Sequence, residues 1–330
     1  MQNPTINIGY TNGVIAAREK RLLKDKILRF CELSPSEAFR ALLESGYGGA
    51  ETASSVYDYE KLIAREEELL DGFIREYSPT KTISSYLLSP RDFHNAKALI
   101  KAASLGEDAQ KMLAPEGLIS IKLLRECIEN NDFAPLETVN QALKEACESA
   151  IELLKEEQSG SKVGDIFEKA SYSYLQNVTR FSPLLKKLLT AKTDMTNILI
   201  AFRAKDGEIA KEKYLPFGKL KEEQLAPLTD DGESEKETAF KAFEKTPYSA
   251  FVKSCFLARE KGLPFTEAER IRDGYDETFF AKRKYELQNK EPFLYYVYRR
   301  KTENANVRVV FACLLAGVSE AEIKKRLRAF

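Results

Sequence analysis

Three stretches decide how this chain reads: RDFHNAKALI (Arg91–Ile100), TDMTNILIAFR (Thr193–Arg203) and TENANVRVVFA (Thr302–Ala312). Each sets an acid three residues before an asparagine: Asp92 and Asn95, Asp194 and Asn197, Glu303 and Asn306. That spacing is one turn of a helix, so acid and amide share a face. The first stretch also holds the single histidine, His94, whose place is taken by Thr196 and Ala305 in the other two. A position that varies this freely is not expected to be catalytic, and His94 reads as an ordinary, partly exposed residue. The acid is expected where a helix begins, where it complements the dipole and accepts from free backbone N–H groups. The asparagine falls inside apolar runs, NILIAF and NVRVVFACLLA. A buried asparagine must be hydrogen-bonded, so each is expected to tie its helix to backbone within the same unit.

Other landmarks recur with the same period. Gly13, Gly117 and Gly218, each opening an apolar-basic stretch, stand 104 and 101 residues apart, and the three acids 102 and 109 apart. FRALLESGY (Phe39–Tyr47) matches FKAFEKTPY (Phe240–Tyr248), with a looser counterpart in TVNQAL at 138–143; DIFEKASY (165–172) matches DGYDETFF (273–280). About a hundred residues is too long for a solenoid repeat and suits a small domain. The expected division is 1–113, 114–214 and 215–330, three copies with pseudo-threefold symmetry.

The periodicity is helical throughout. Between Asp58 and Tyr77 the apolar residues fall at steps of three and four, with Glu66 as the one gap. Val14–Phe30 and Leu136–Leu154 behave likewise. Ser34-Pro35 and Ser89-Pro90 look like helix starts with a serine cap and an early proline, and Ser182-Pro183 offers a partial cue. TISSYLL at 82–88 is read as loop or short helix. The expected fold class is all-α.

Composition excludes much. Lys plus Arg and Asp plus Glu both number 51 in 330 residues, which argues against a nucleic-acid partner. The cysteines at 31, 127, 147, 255 and 313 form no C-x-x-C pair and suit a reducing compartment as small buried hydrophobes. The start lacks a signal-peptide pattern, and the longest apolar run, VVFACLLAGV at 309–318, is half a bilayer span. No phosphate-binding loop, nucleophile elbow or zinc spacing occurs. Asp230, Asp231, Glu233 and Glu235 form the one acidic loop to weigh for a cation, and its Gly and Ser make it a surface loop. No catalytic, cofactor or metal residue is nominated, and no small-molecule substrate is expected.

D-x-x-N-x-K with a following E-G-L (Asp92, Asn95, Lys97, Glu116, Gly117, Leu118) resembles the C-subunit family of rotary V-type (A-type) ATPases, whose eukaryotic relative is the d subunit. So do TDMTNI and LPFGKL (Thr193–Leu220), EPFLYYVYRRKTENANVR (Glu291–Arg308) with the closing VSEAEIKKRLRAF, and the early YTNGVIAARE. The ordered set runs from Tyr10 to Phe330. The resemblance implies a funnel of three similar helical domains that sits on the membrane rotor ring and receives the central shaft. It would be a non-catalytic monomer within a hetero-complex, peripheral on the cytoplasmic face, passing torque for proton or sodium transport. Arg299, Arg300 and Lys301 are the basic candidates for a partner interface. A triplicated helical adaptor unrelated to rotary ATPases is the alternative. A metal-using helical enzyme is a third reading, and the absence of a clustered acid motif on any expected helix speaks against it.

Overall fold

In the computed structural model, residues 7–328 are described except 24, 50, 158, 205, 206, 231, 282, 287 and 288. Among them every regular element is helical. The first helices are α1 (Ile8–Glu19), α2 (Lys26–Phe30), α3 (Pro35–Glu44), α4 (Tyr59–Tyr77) and α5 (Lys81–Leu105). Then come α6 (Ile121–Asn130), α7 (Ala134–Glu137), α8 (Gln141–Glu156), α9 (Gly160–Thr179) and α10 (Pro183–Arg203). The rest are α11 (Gly207–Lys213), α12 (Glu222–Leu225), α13 (Glu233–Phe243), α14 (Ser249–Glu260), α15 (Thr266–Ala281), α16 (Glu291–Leu315) and α17 (Glu320–Arg326). The chain forms two compact units, one of Met1–Lys81 with Glu269–Phe330 and one of Thr82–Ala268. These breaks fall elsewhere than the expected 113/114 and 214/215.

Local chemistry explains most of the boundaries. Ser34 caps α3 in a full capping box with Glu37, behind Pro35 in the first turn. Ser182 stands at the N-cap of α10 beside Pro183 but makes no side-chain cap bond. The expected start at Ser89-Pro90 is overturned. Helix α5 runs through Pro90, Ser89 is fully buried, and 82–88 belongs to its first turns. A proline inside a helix forfeits one backbone bond and costs about 3 kcal/mol; the burial of Tyr86, Leu87, Leu88 and Phe93 around it opposes that cost. The continuous helices read over 14–30 and 136–154 are each broken in two, at 20–25 and at 138–140. In the second, Asn140 caps α8 by accepting from Leu143 N at 3.1 Å, and Val139 is left half in water.

Two apolar cores share one plan. In the unit of Thr82–Ala268, Phe93, Ala96, Leu99 and Ile100 of α5 pack with Ile119, Leu124, Cys127, Leu143, Cys147, Val163 and Phe167 from the segments up to α9. In the other unit, Val307, Val310 and Phe311 of α16 pack with Leu23, Ile27, Cys31, Leu42 and Leu62 from the segments up to α4. Val307, Val310 and Phe311 follow Ala96, Leu99 and Ile100 at a constant 211 residues. The second core therefore joins the two ends of the chain.

The five cysteines are all free and buried. Burial pushes the thiols of Cys147 and Cys255 from about 9 up to about 12. A thiol raised in the fold contributes stability that is intact below pH 9 and lost as pH rises towards 12. By pH 10 each thiol forfeits about 1.4 kcal/mol. Urea titrations at pH 8 and pH 10 check this: the midpoint falls, and Cys147→Ala with Cys255→Ala flattens the fall. A midpoint constant over that range would contradict it.

Candidate functional site: three carboxylate–asparagine clamps

The recurrent acid and asparagine lie in the middle of long helices, not at their starts. Asp92 sits in α5, Asp194 in α10 and Glu303 in α16, and all are at most 1% exposed. The helix-start expectation fails because α5 and α16 each extend about ten residues before the motif. The acids do accept from free N–H groups, but those belong to loops packed alongside.

The asparagine bonds are the same three times over. Asn95 accepts from Ala114 N at 2.8 Å and donates to Ala114 O at 3.2 Å. Asn197 accepts from Leu215 N at 2.8 Å and donates to Leu215 O at 3.0 Å. Asn306 accepts from Arg328 N at 2.8 Å and donates to Arg328 O at 3.1 Å. One amide thus satisfies both backbone polar groups of one residue, as a buried amide must. The first two ties cross the expected boundaries at 113/114 and 214/215, so Asn95 and Asn197 do not bond within their own expected repeats, whereas Asn306 and Arg328 both lie within 215–330. Asn197→Ala leaves both Leu215 groups unpaired and is expected to cost about 1–3 kcal/mol. A melt equal to the parent protein's would refute the tie.

The acids complete each clamp. Asp92 accepts from Leu118 N at 3.1 Å and Ile119 N at 3.0 Å. Asp194 accepts from Lys219 N at 2.7 Å and Leu220 N at 3.1 Å, and from the Tyr248 hydroxyl at 2.7 Å. Glu303 accepts from Leu23 N at 2.5 Å. The third clamp is therefore closed by the opening part of the chain, and Leu23 is the counterpart of Ile119 and Leu220. Gly13, by contrast, lies within α1 with nothing within 4 Å of a Cβ, and its spacing to Gly117 is coincidental.

Gly117 and Gly218 have a reason the sequence did not display. A Cβ on Gly117 would collide with the Asp92 carboxylate and lie 2.8 Å from Leu88 O; on Gly218 it would lie 2.5 Å from Asp194 Oδ1. The backbone must come close enough for its N–H groups to reach the acid. Gly117→Ala is expected to cost about 1–3 kcal/mol by overpacking, whereas Gly13→Ala is expected to stabilise by up to about 1 kcal/mol, as in any exposed helix interior. Thermal unfolding of the two variants shifts in opposite directions if the distinction holds.

The third site carries a buried ion network. Arg300 pairs with Glu303 and, at 2.8 Å, with Glu66, whose other oxygen accepts from Gly48 N at 2.8 Å. Tyr47 donates to Asn304 Oδ1 at 2.8 Å, and its ring faces the guanidinium at 5.8 Å. Burial, and next the Glu66 charge, holds the Tyr47 hydroxyl well above its usual range. Burial also raises the Glu303 carboxyl, against the lowering pull of Arg300. Burial works against the Arg300 charge, yet Glu303 and Glu66 keep it above its ordinary value. Arg300 is 7% exposed, so it is an internal counter-ion and not the surface contact expected of it. Arg299, half-buried, pairs with Glu277 at 2.7 Å, and Lys301 lies over Tyr298 at 5.7 Å.

Glu66 is the residue the periodicity passed over as a gap. It is 5% exposed and lies on the buried face of α4. Tyr47 and Tyr248 were visible as matched aromatic ends, without a role. His94 is exposed, with Nε2 2.9 Å from Met112 O. Among the described residues no group of three His, Cys, Asp or Glu is placed to hold a metal ion, and Asp231 of the acidic loop lies outside them. An open groove of about 590 Å³ is lined by Asp132, Lys144, Glu148, Glu152 and Lys155 among others. The clamps spend their carboxylates on backbone donors; what they supply is rigidity.

The family model described as ATP synthase (C/AC39) subunit matches residues 11–326. The C subunit of the V-type ATP synthase of Thermus thermophilus is 22% identical over 218 residues, covering 64% of this chain and 68% of that protein. The C subunit of the V-type sodium ATPase of Enterococcus hirae is 21% identical over 338 aligned residues, covering 96% and 97%.

Proposed function

The chain belongs to the ATP synthase (C/AC39) subunit family, and from that premise we propose that it is the non-catalytic socket joining the central shaft of a V-type ATPase to its membrane rotor ring. The observation that carries the proposal is the family match over nearly the whole chain, joined to a set of buried acids engaged with backbone and counter-ions. Torque from ATP hydrolysis passes from the catalytic head through shaft and socket to the ring and drives ions across the membrane; in synthesis the order reverses. The ring sets the choice between proton and sodium. The name of the Enterococcus hirae relative carries sodium.

A part that transmits torque must not creep. Packed helices supply stiffness through native core density, and the clamps pin loop to helix without adding a flexible side chain at the surface. On the division 1–113, 114–214 and 215–330, each clamp ties one part to the next: Asn95 to Ala114, Asn197 to Leu215, and Glu303 to Leu23. We take the three parts to be pseudo-equivalent walls of a funnel, with Arg299 and Lys301 among its shaft contacts. No helix among the described residues is long and apolar enough to cross a membrane; the proposed place is peripheral, on the cytoplasmic face, held by the ring.

The test is capture. The immobilised chain is offered the detergent-solubilised ring and, separately, the catalytic head with its shaft. Retention of both, with salt-sensitive release of the head, is expected. A folded chain that retains neither overturns the socket and favours a helical adaptor of another complex.

A further inference from the structure

From Lys169 to Thr193 the chain carries five cations (Lys169, Arg180, Lys186, Lys187 and Lys192) and no acid, in a protein whose charges balance overall. The stretch is the end of α9, a three-residue turn and the start of α10. Phe181 stands in that turn at 89% exposure, the most exposed large hydrophobic side chain among the described residues. The Arg180 guanidinium lies over its ring at 5.3 Å. Lys186 and Lys187, in the first turns of α10, are exposed. Among the described residues, Arg180, Lys186 and Lys187 form no ion pair. The knob has a firm base. Ser182 N donates to Thr179 O at 2.8 Å, and Leu185, Leu188 and Leu189 are buried beneath it.

The turn after α4 makes the contrast. Its sequence, Tyr77-Ser78-Pro79, parallels Phe181-Ser182-Pro183. Yet Tyr77 stacks on Phe73 at 5.2 Å and on Tyr10 at 6.2 Å. The related sequence packs its aromatic against two other rings in one place and presents it among cations in the other.

We propose that the Arg180–Phe181 turn, with Lys186 and Lys187, is a membrane-touching apex that inserts Phe181 between the headgroups of an anionic bilayer. Charge complementarity selects a negative surface. Shape selects lipid over protein: a specific protein interface needs about 800 Å² on each side and a pocket around its aromatic anchor, and a single convex turn presents neither. A bilayer interface asks for no shape match; it takes an apolar side chain ringed by cations. Each cation near an anionic leaflet contributes about fivefold in partition, equivalent to about 1 kcal/mol. The contact is with lipid itself and stands apart from the ring-and-shaft proposal, since it requires no rotor protein.

The experiment is co-sedimentation of the full chain with vesicles of phosphatidylcholine, alone or mixed with phosphatidylglycerol. Binding is expected only to the mixed vesicles, weakening as salt is raised. Phe181→Ser is expected to reduce partition by roughly tenfold, and the triple change R180Q/K186Q/K187Q by roughly a hundredfold. Both alter exposed side chains, so melting temperatures should match the parent's. Equal binding to both vesicle types, no binding to the mixed ones, or binding unchanged in both variants overturns the proposal. Variant-sensitive capture of a lipid-free acidic protein by a chain that ignores vesicles also overturns it, in favour of a protein partner.

Discussion

Arg300→Met is expected to destabilise the unit of Met1–Lys81 and Glu269–Phe330 by about 3–5 kcal/mol, the cost of leaving buried charges without their counter-ion. The side chains of Arg300, Glu66 and Glu303 are 8%, 6% and 1% exposed. With the guanidinium gone, Glu66 retains Gly48 N and Glu303 retains Leu23 N, but two carboxylates then share one dry site. The pH dependence identifies the cause. Glu303 is already raised by burial, and Arg300 is the strongest group pulling it down, so the variant's carboxyl rises further. A carboxyl raised in the fold is harmless while protonated, below its ordinary value near 4.5, and costs stability as pH climbs through the shifted range. The variant should therefore lie closer to the parent protein at pH 5 than at pH 8. Glu66→Gln added to Arg300→Met should recover part of the loss. Denaturant titrations at the two pH values decide: equal losses, with no recovery in the double variant, would refute the ion network as the origin.

Asp194→Ala is expected to cost about as much, roughly 3–5 kcal/mol, since it removes the acceptor of two backbone N–H groups, at about 1–3 kcal/mol each before relaxation, and of the Tyr248 hydroxyl. A double-mutant cycle with Gly218 separates the clamp from mere loss of a buried group. Gly218→Ala alone drives a methyl to 2.5 Å from Asp194 Oδ1. In the Asp194→Ala background that obstacle is gone, so the second change should cost little. Strongly non-additive stabilities are the expected result. Simple additivity would mean that Gly218 is required for some reason other than the close approach of its loop to the acid.

The recurrence was legible because spacing survives where identity does not. The asparagine tie was also legible, since an amide inside NILIAF has few alternatives to a buried backbone partner. The position of the acid along its helix was not. Pro90 carries a strong boundary signal, and only tertiary burial overrides it. Gly13 was mistaken for the third member because a linear search looks for a counterpart upstream. The matching position is Arg21, two residues before Leu23 as Gly117 is before Ile119 and Gly218 before Leu220, and it emerges only because Glu303 reaches back 280 residues to Leu23. Arg300 looked like surface within an Arg-Arg-Lys run. Its i, i+3 relation to Glu303 and the misfit of Glu66 in an otherwise apolar stripe were the available signs that it points inward.

The third clamp has a consequence for how the protein is made. Thr82–Ala268 contains the backbone partners of its own two clamps, so both can close as soon as that segment has left the ribosome. The first unit must wait. Its opening helices cannot fill their core until α16 arrives, and Asn306 finds its partner only at Arg328. At about 5–20 residues per second, the interval between synthesis of residues 81 and 328 is roughly 12–50 s. For most of it, until α16 is made, Leu23, Ile27, Phe30, Phe39 and Leu42 lack the face that α16 supplies. The apolar residues of the N-terminal eighty positions are thus made early and covered late, by the last sixty residues.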